Sequence, residues 1–445
     1  MNVMIYGATD IGYMIAVNLY QKHSIILVDD IEKLPERFNN LDISFVNGLG
    51  ADLEVLESTG INNCELFIAC AKRDEANIVA CWTAKKLLDI ETVCFVREVA
   101  LYRNLISPKH NKYRTPYDID MVIWPEQLLT QDIFRIILVP KAIDVVYFAD
   151  GRAKLFEYRI DKDSVLKDCK VMDCLFPEDV LIVGITREGE LFIPNGSTVI
   201  HEQDKVIFIG TGPGLDQLSA NIFQTSNRTR TAVLIGGGSV GSMLASQLEE
   251  AGIKVKIIEH NKERCTFLAD KLKDSLILHG DGTDLELLEE ESVGNADVIV
   301  SVTDNDEKNL LCSLLVKQLG AESRIITRVS NSRTAQLFEK VGVDVVVSPR
   351  ESALKELLNR MQASYVNILA LVERGQGQVL RLRIAEQFPD TRVVDIPFQA
   401  QAIIGVVTRG RQLLIPHGET ILKAGDELEI FTMADHSDQI KTLFA

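Results

Sequence analysis

The chain has 445 residues, 46% hydrophobic and 25% charged, with a formal net charge of −17. That length exceeds one ordinary core, and the composition is globular, so roughly three or four domains are expected. The acidic balance argues against a nucleic-acid binder, which needs clustered Lys and Arg on phosphates, and against adhesion to anionic lipid, though not against docking on a membrane-embedded protein.

In chain order, Val3–Tyr6 reads as a short apolar strand ending at Gly7. Ile11–Tyr20 then carries Ile11, Ile15, Val17 and Leu19 at helical spacing. Ile25–Val28 is a second strand, closed by Asp29 and Asp30, and Ile43–Val46, Leu66–Ala69 and Val93–Val96 are further continuous apolar runs. Ala76–Leu88 reads as a helix between the last two of these. Short apolar strands alternating with helices predict βαβ units and a parallel sheet buried on both faces. Met121–Ile123 is the last strand, and Glu126–Val139 an amphipathic helix stopped by Pro140.

From Lys141 to about Ala220 the strands become β-branched or aromatic, as at Ile143–Phe148 and Lys154–Tyr158. Turns fall at Asp150-Gly151, Glu188-Gly189 and Pro194-Asn195-Gly196, which predicts a small α+β unit. Polar, aperiodic Asn221–Arg230 reads as a linker. A second nucleotide-fold unit is expected over Thr231–Pro349, then a helix at Glu351–Gln362 and a second small unit to Ala445. The expected boundaries are 1–124, 140–221, 230–349 and 364–445. No apolar run approaches the ~20 residues that span a bilayer. The N-terminus enters its first strand without a basic-then-apolar leader, so a cytosolic protein is expected. The eight cysteines show no C-x-x-C spacing and read as reduced, mostly core thiols.

The chain repeats itself. "VMIYGATDIGYMIAVNL" at Val3–Leu19 returns as "AVLIGGGSVGSMLASQL" at Ala232–Leu248, and "GLGADLEVLESTG" at Gly48–Gly60 as "GDGTDLELLEEESVG" at Gly280–Gly294. The small unit's "VGITREGELFIPNGSTVIHEQDKVIFI" returns as "IGVVTRGRQLLIPHGETILKAGDELEIF". Duplicated binding units with no separate reaction domain point to sensing or scaffolding before catalysis.

The second copy has the full context of a dinucleotide fingerprint: a strand, then Gly236-Gly237-Gly238-Ser239-Val240-Gly241, then a helix. The first glycine permits the tight turn, the second the approach of backbone to pyrophosphate, and the third helix–strand packing. The helix N-terminus offers free N–H groups to phosphate. Glu259 ends the next strand, where a carboxylate can accept ribose hydroxyls and would repel a 2′-phosphate, favouring NAD(H) or an adenine nucleotide over NADP(H). The alternative is a structural turn that holds nothing.

The first copy, Gly7-Ala8-Thr9-Asp10-Ile11-Gly12, has Thr9 where the second glycine belongs, and its Cβ crowds the approach. Asp29 keeps the acid position, so this site is either an altered nucleotide site or a retained fold. Asp281 and Thr283, like Gly50 and Asp52, lie between a strand and a helix, where they can be nucleotide contacts or N-caps. Ala71-Lys72 and Thr303-Asp304 follow the fourth strand of each copy, and Arg97 and Arg328 end the fifth. Each arginine reads as a phosphate or subunit contact, or as a solvated side chain.

A dehydrogenase needs a proton donor or acceptor beside the nicotinamide. The Tyr158–Lys162 spacing lies on a strand running into a turn, the seven histidines are scattered, and there is no H-E-x-x-H, G-x-S-x-G or P-loop. No reaction centre or metal site is expected.

The repeat and motifs resemble the Trk system potassium uptake proteins, the TrkA family of tandem RCK (regulator of potassium conductance) proteins. "DEANIVACWTAKKL" at Asp74–Leu87 and the small-unit pattern at Gly184–Gly210, repeated through Gly405, Arg409, Pro416, Gly418 and Gly425-Asp426, carry it across the whole chain. The resemblance implies a Rossmann-like N-domain and a small C-domain in each half. It also implies a homo-oligomeric ring, as a tetramer, on the cytoplasmic face of a K⁺-translocating membrane subunit. Nucleotide would gate transport from Gly7–Gly12, Asp29, Ala71, Lys72 and Arg97, and from Gly236–Gly241, Glu259, Thr303, Asp304 and Arg328. Lys72 and Arg73 make the first rim more positive than Asp304 and Asn305 make the second, which favours ATP or ADP there and NAD(H) in the second site. The rival is an NAD-dependent oxidoreductase, since the same loop serves both uses.

Overall fold

The computed structural model describes residues 1–106, 117–139, 141–223, 229–319, 323–330, 332–365, 368–372, 376–398 and 402–444. The middle of the expected linker, residues 224–228, and Pro140 lie outside them. By its internal contacts the chain forms two compact units, Met1–Leu129 with Ser348–Leu357, and Thr130–Val347 with Leu358–Ala445.

In the first unit, strands β1 (Asn2–Tyr6), β2 (Ser24–Asp29), β3 (Ser44–Asn47), β4 (Leu66–Ala69), β5 (Glu91–Phe95) and β6 (Met121–Ile123) form one sheet in the order β3-β2-β1-β4-β5-β6. Every pairing is parallel, and β1 and β4 are buried along nearly their whole length, as expected for apolar runs covered on both faces. Helices α1 (Asp10–Leu19), α2 (Leu53–Ser58), α3 (Asp74–Leu88), α4 (Val99–Ile106) and the start of α5 (Pro125–Leu138) complete it. The order reverses between β1 and β4, so the carboxyl ends of these strands open the crevice where such sheets bind ligands.

In the second unit, β7 (Ala142–Phe148), β8 (Ala153–Arg159), β9 (Val180–Arg187), β10 (Glu190–Phe192) and β11 (Lys205–Thr211) form an antiparallel sheet backed by α6 (Gly212–Phe223). Strands β12 (Thr231–Ile235), β13 (Lys254–Glu259), β14 (Leu276–His279), β15 (Val298–Ser301), β16 (Arg324–Arg328) and β17 (Val345–Val347) repeat the parallel sheet in the same order. Around it lie α7 (Ser239–Glu250), α8 (Lys262–Lys271), α9 (Leu285–Glu290), α10 (Asp306–Gln318) and α11 (Ser332–Lys340). Helix α12 (Pro349–Tyr365) follows, with its first turns, through Leu357, in the first unit. Strands β18 (Ile368–Val372), β19 (Gly377–Arg383), β20 (Thr391–Arg392), β21 (Ala402–Arg409), β22 (Gln412–Leu414), β23 (Ile421–Leu422) and β24 (Glu427–Met433), with α13 (Ser437–Leu443), repeat the small fold.

The residues repeated in the two small folds are structural. Arg187 donates bidentately to Asp204 at 2.9 and 2.7 Å, and Arg409 to Asp426 at 2.8 and 2.6 Å. Both aspartates are buried, so the fork geometry of arginine fixes the turn before the last long strand in each copy. The two small sheets share one apolar core, with Leu155, Val183, Ile207 and Ile209 packed with Val379, Val406 and Phe431. Gln376 stitches its edge, accepting from Leu191 N at 3.0 Å and donating to Gly189 O at 2.9 Å. Arg324 is half-buried at the start of β16 and donates to the carbonyls of Ile136, Val139 and Ala142. Burial pulls its pKa down to about 10, and the carbonyls at the end of α5 compensate its charge. The eight cysteines are all free, and five are buried.

Candidate functional site

Each parallel sheet ends in a glycine loop at its order reversal. In the second, β12 turns at Gly236 (φ +107°), and Gly238 is the N-cap of α7. A Cβ on Gly241 would lie 2.0 Å from the Gly236 carbonyl oxygen, so the third glycine is fixed by packing. A Cβ on Gly238 would meet nothing within 4 Å. The second glycine is therefore not required by the protein's own packing, and the space above it is open. Among the described residues no side chain caps α7, and its first-turn N–H groups face the loop mouth where an anion can accept them.

Glu259 is buried at the end of β13, beside this loop. Its Oε2 accepts from Gly237 N at 2.7 Å and its Oε1 from Asn261 N at 2.8 Å. Oε1 also faces the exposed His260 Nδ1 at 2.9 Å, so the group is oriented and the second lone pair of Oε2 is the one left to accept a hydroxyl. Arg264 braces the loop by donating to Gly237 O at 2.8 Å. Thr303 follows β15, and its N–H and hydroxyl donate to Asn309 Oδ1 at 3.0 and 2.6 Å. Asn309 in turn donates to Thr303 O at 3.0 Å and Arg328 O at 3.1 Å, tying the ends of β15 and β16 together. Arg328 Nε is buried and has no partner among the described residues. Asp304 is exposed on the rim.

The first loop has the same frame. Gly7 (φ +121°) makes the turn, Ala8 N donates to Asp29 Oδ2 at 2.5 Å, and a Cβ on Gly12 would again lie 2.0 Å from the Gly7 oxygen. Burial raises the Asp29 carboxyl above its ordinary value, with Asp30 adding to it against the Ala8 N–H. Thr9 is the N-cap of α1: its Oγ accepts from Gly12 N at 3.2 Å and donates to Cys70 O at 2.9 Å. The threonine thus adds bulk and also occupies a first-turn N–H. Asp10 pairs with Arg37 and Arg350. Ala71 is tied to Asn77 as Thr303 is to Asn309, and Lys72 is exposed beside it. Arg97 does not end its strand as Arg328 does: β5 stops at Phe95, which takes the place of Arg328 in the asparagine tie, and Arg97 lies two residues further on, its side chain 54% exposed and paired with Asp74 at 3.4 Å.

One reading changes. Asp281 and Thr283 are not N-caps; Asp284 caps α9, while Asp281 accepts from Thr283 N and Oγ at 3.0 and 2.8 Å in the preceding turn. Asp52 does cap α2. Asn77 and Asn309 stand in no known binding motif, although D-E-x-N recurs as Asp74-Glu75-Ala76-Asn77 and Asp306-Glu307-Lys308-Asn309. A polar residue held on the buried face of both copies was the available signal. Tyr158 is buried and donates to Asp161 at 3.4 Å, and burial pushes its pKa up to about 12.

The TrkA-N domain model matches residues 3–107 and again 232–349, and the TrkA-C domain model matches residues 155–222. A Trk system potassium uptake protein TrkA homolog of Methanosarcina mazei is 35% identical, with both chains covered in full. The chain belongs to the Trk system potassium uptake protein family. Its fold is that of RCK domains: the GsuK RCK domain superposes with a TM-score of 0.64 at 18% identity, covering 100% of this chain and 94% of that one. The GsuK channel bound to NAD gives a TM-score of 0.62 at 18% identity, over 100% and 78%. Among the described residues no helix is long and apolar enough to cross a membrane.

Proposed function

We propose that this protein is the nucleotide-binding gating subunit of a Trk-type potassium uptake system. Its four domains, at 1–124, 140–221, 230–349 and 364–445, form a homo-oligomeric ring, a tetramer, on the cytoplasmic face of a K⁺-translocating membrane subunit. NAD(H) occupies the second site, with its pyrophosphate over Gly236–Gly241, its ribose on Glu259 and its phosphates within reach of Arg328. The first site takes ATP or ADP over Gly7–Gly12 and Asp29, beside Lys72 and Arg97. The protein carries out no reaction; it converts nucleotide binding into a change of transport.

The observation that carries this reading is the second loop: open space above Gly238, an uncapped helix N-terminus, an oriented buried carboxylate and an unpartnered arginine Nε around one crevice. The family supplies potassium uptake, and the NAD bound by the GsuK channel, a fold neighbour, agrees with the ligand. A nucleotide gates only if it binds two arrangements of the ring with different affinity, typically by ~1–3 kcal/mol. K⁺ flux into vesicles holding the membrane subunit should depend on this protein and respond to NADH or ATP. Flux indifferent to both would refute the reading, and steady NADH oxidation with a small carbonyl would replace it with an oxidoreductase.

A further inference from the structure

The two glycine loops differ at their first helical residue, which is Asp10 in one and Ser239 in the other. Asp10 gathers cations. Arg37, from the turn after β2, pairs with its Oδ1, and Arg350, the second residue of α12, with its Oδ2 at 2.7 Å. Arg37 also donates to Ala8 O at 3.1 Å and lies 5.5 Å from the ring centres of both Tyr13 and Phe38. Its Nε is buried and has no partner among the described residues. Arg264 makes the matching bond to Gly237 O in the second loop, without an acid at the next helical position.

Burial acts to raise the Asp10 carboxyl, but Arg37, Arg350 and Lys72 together hold it below its ordinary range. Three cations therefore act on one carboxylate at the mouth of a helix N-terminus. That surplus suits a group with more negative charge and more acceptor oxygens than a carboxylate, and guanidinium forks match phosphate.

We infer that Asp10 and Arg350 form a latch opened by polyphosphate: the terminal phosphates of a nucleotide in the first site replace Asp10 as the partner of Arg350 and Arg37. The inference rests on the nucleotide reading of the first site. It makes Arg350 a sensing residue supplied by the helix that leaves the second nucleotide-fold half and leads to β18 of the second small fold. Occupancy of the first site is then read at the start of α12. Asp10 sets the threshold, because phosphate must compete with a carboxylate already in place.

The test is calorimetric titration of the full chain with ATP and with AMP, in the wild type, Asp10→Asn, Arg350→Ala and the double variant, with thermal unfolding as a check on folding and Arg350→Lys as a gentler substitute. Asp10→Asn should raise ATP affinity about tenfold, and Arg350→Ala should lower it by a similar factor. AMP, which lacks the terminal phosphates, should shift by less than about twofold in either, and the gain from Asp10→Asn should shrink in the double variant. ATP binding that is unchanged in every variant, or a gain that survives Arg350→Ala intact, overturns the latch and leaves the nucleotide reading standing. A first site that takes neither ATP nor AMP in any variant overturns both.

Discussion

The two glycine loops share a backbone and differ in what the backbone is free to bind. In both, the third glycine packs on the carbonyl of the first, and the acid of the next strand takes the amide after the first glycine. In the second loop no side chain among the described residues caps the helix; in the first, the Thr9 hydroxyl takes Gly12 N and Asp10 is held by two arginines. The lesson is that the two copies share the part of the loop set by packing and differ where packing leaves the choice open. A glycine that packing demands survives in both copies, whereas the one that packing does not demand is replaced by Thr9 in one of them.

The largest expected effect follows from the open space at Gly238. Gly238→Asp places a carboxylate where the second loop would meet pyrophosphate, and should cost NADH binding about 2–3 kcal/mol, on the order of a hundredfold in Kd. Because a Cβ there meets nothing within 4 Å, the thermal midpoint should stay near that of the wild type. Calorimetry and a melt on the same sample check both halves of the expectation. Unchanged NADH affinity would remove the second site from this loop.

Asn309→Ala sharpens the comparison from inside the sheet. It deletes the bonds that hold Thr303 and the Arg328 carbonyl, at a cost of about 2 kcal/mol in denaturant unfolding, and should weaken NADH binding by loosening Arg328. Asn77→Ala removes the matching bonds to Ala71 and Phe95 and should cost similar stability while leaving NADH affinity unchanged. Equal loss of NADH binding in both would mean that the halves are not separate sites.

A smaller change is expected at Thr9. Thr9→Gly exchanges a threonine cap for a glycine cap, which costs only a few tenths of a kcal/mol. It also frees Gly12 N and removes the Cβ, so first-site nucleotide affinity should rise roughly threefold to tenfold by calorimetry, the value of one net hydrogen bond. A first site still empty after this change has a structural role alone.

The sequence made both parallel sheets, both loops and both small folds legible, because apolar strands, helical spacing and glycine punctuation are local signals. Element ends moved by a residue or two: Ile43–Val46 became Ser44–Asn47, and Val93–Val96 became Glu91–Phe95. Short, polar elements such as α2, α8 and α9 carry weak periodicity, and the cap of α9 fell on Asp284 although Asp281 and Thr283 looked equally suited. The contacts around the sites were least legible. Arg37 is 27 residues from Asp10, and Arg350 comes from the other half of the chain, so no spacing rule joins them. Asn77 and Asn309 look like ordinary polar helix residues until the sheet buries them.

The smallest effect is one of pH, and it sets two acids of the first site against each other. The cations around Asp10 hold its folded-state pKa below the unfolded value of about 3.9, so its stabilisation is present above that value and is lost as pH falls through the folded one. Burial of Asp29 raises its folded-state pKa, so its contribution is present below the unfolded value and is lost as pH rises through the folded one. The wild type's melting advantage over Asp10→Asn should therefore be flat from about pH 7 to 5 and shrink below about pH 4, by a modest amount because the Asp10 side chain is 46% exposed. Against Asp29→Asn the trend reverses: the wild type gains as the pH is lowered, since protonation relieves a buried charge in the folded state. Melts of the three proteins across this range test the signs together. Two parallel curves would mean that the arginines do not hold Asp10 in solution, and the first loop would then differ from the second only by Thr9.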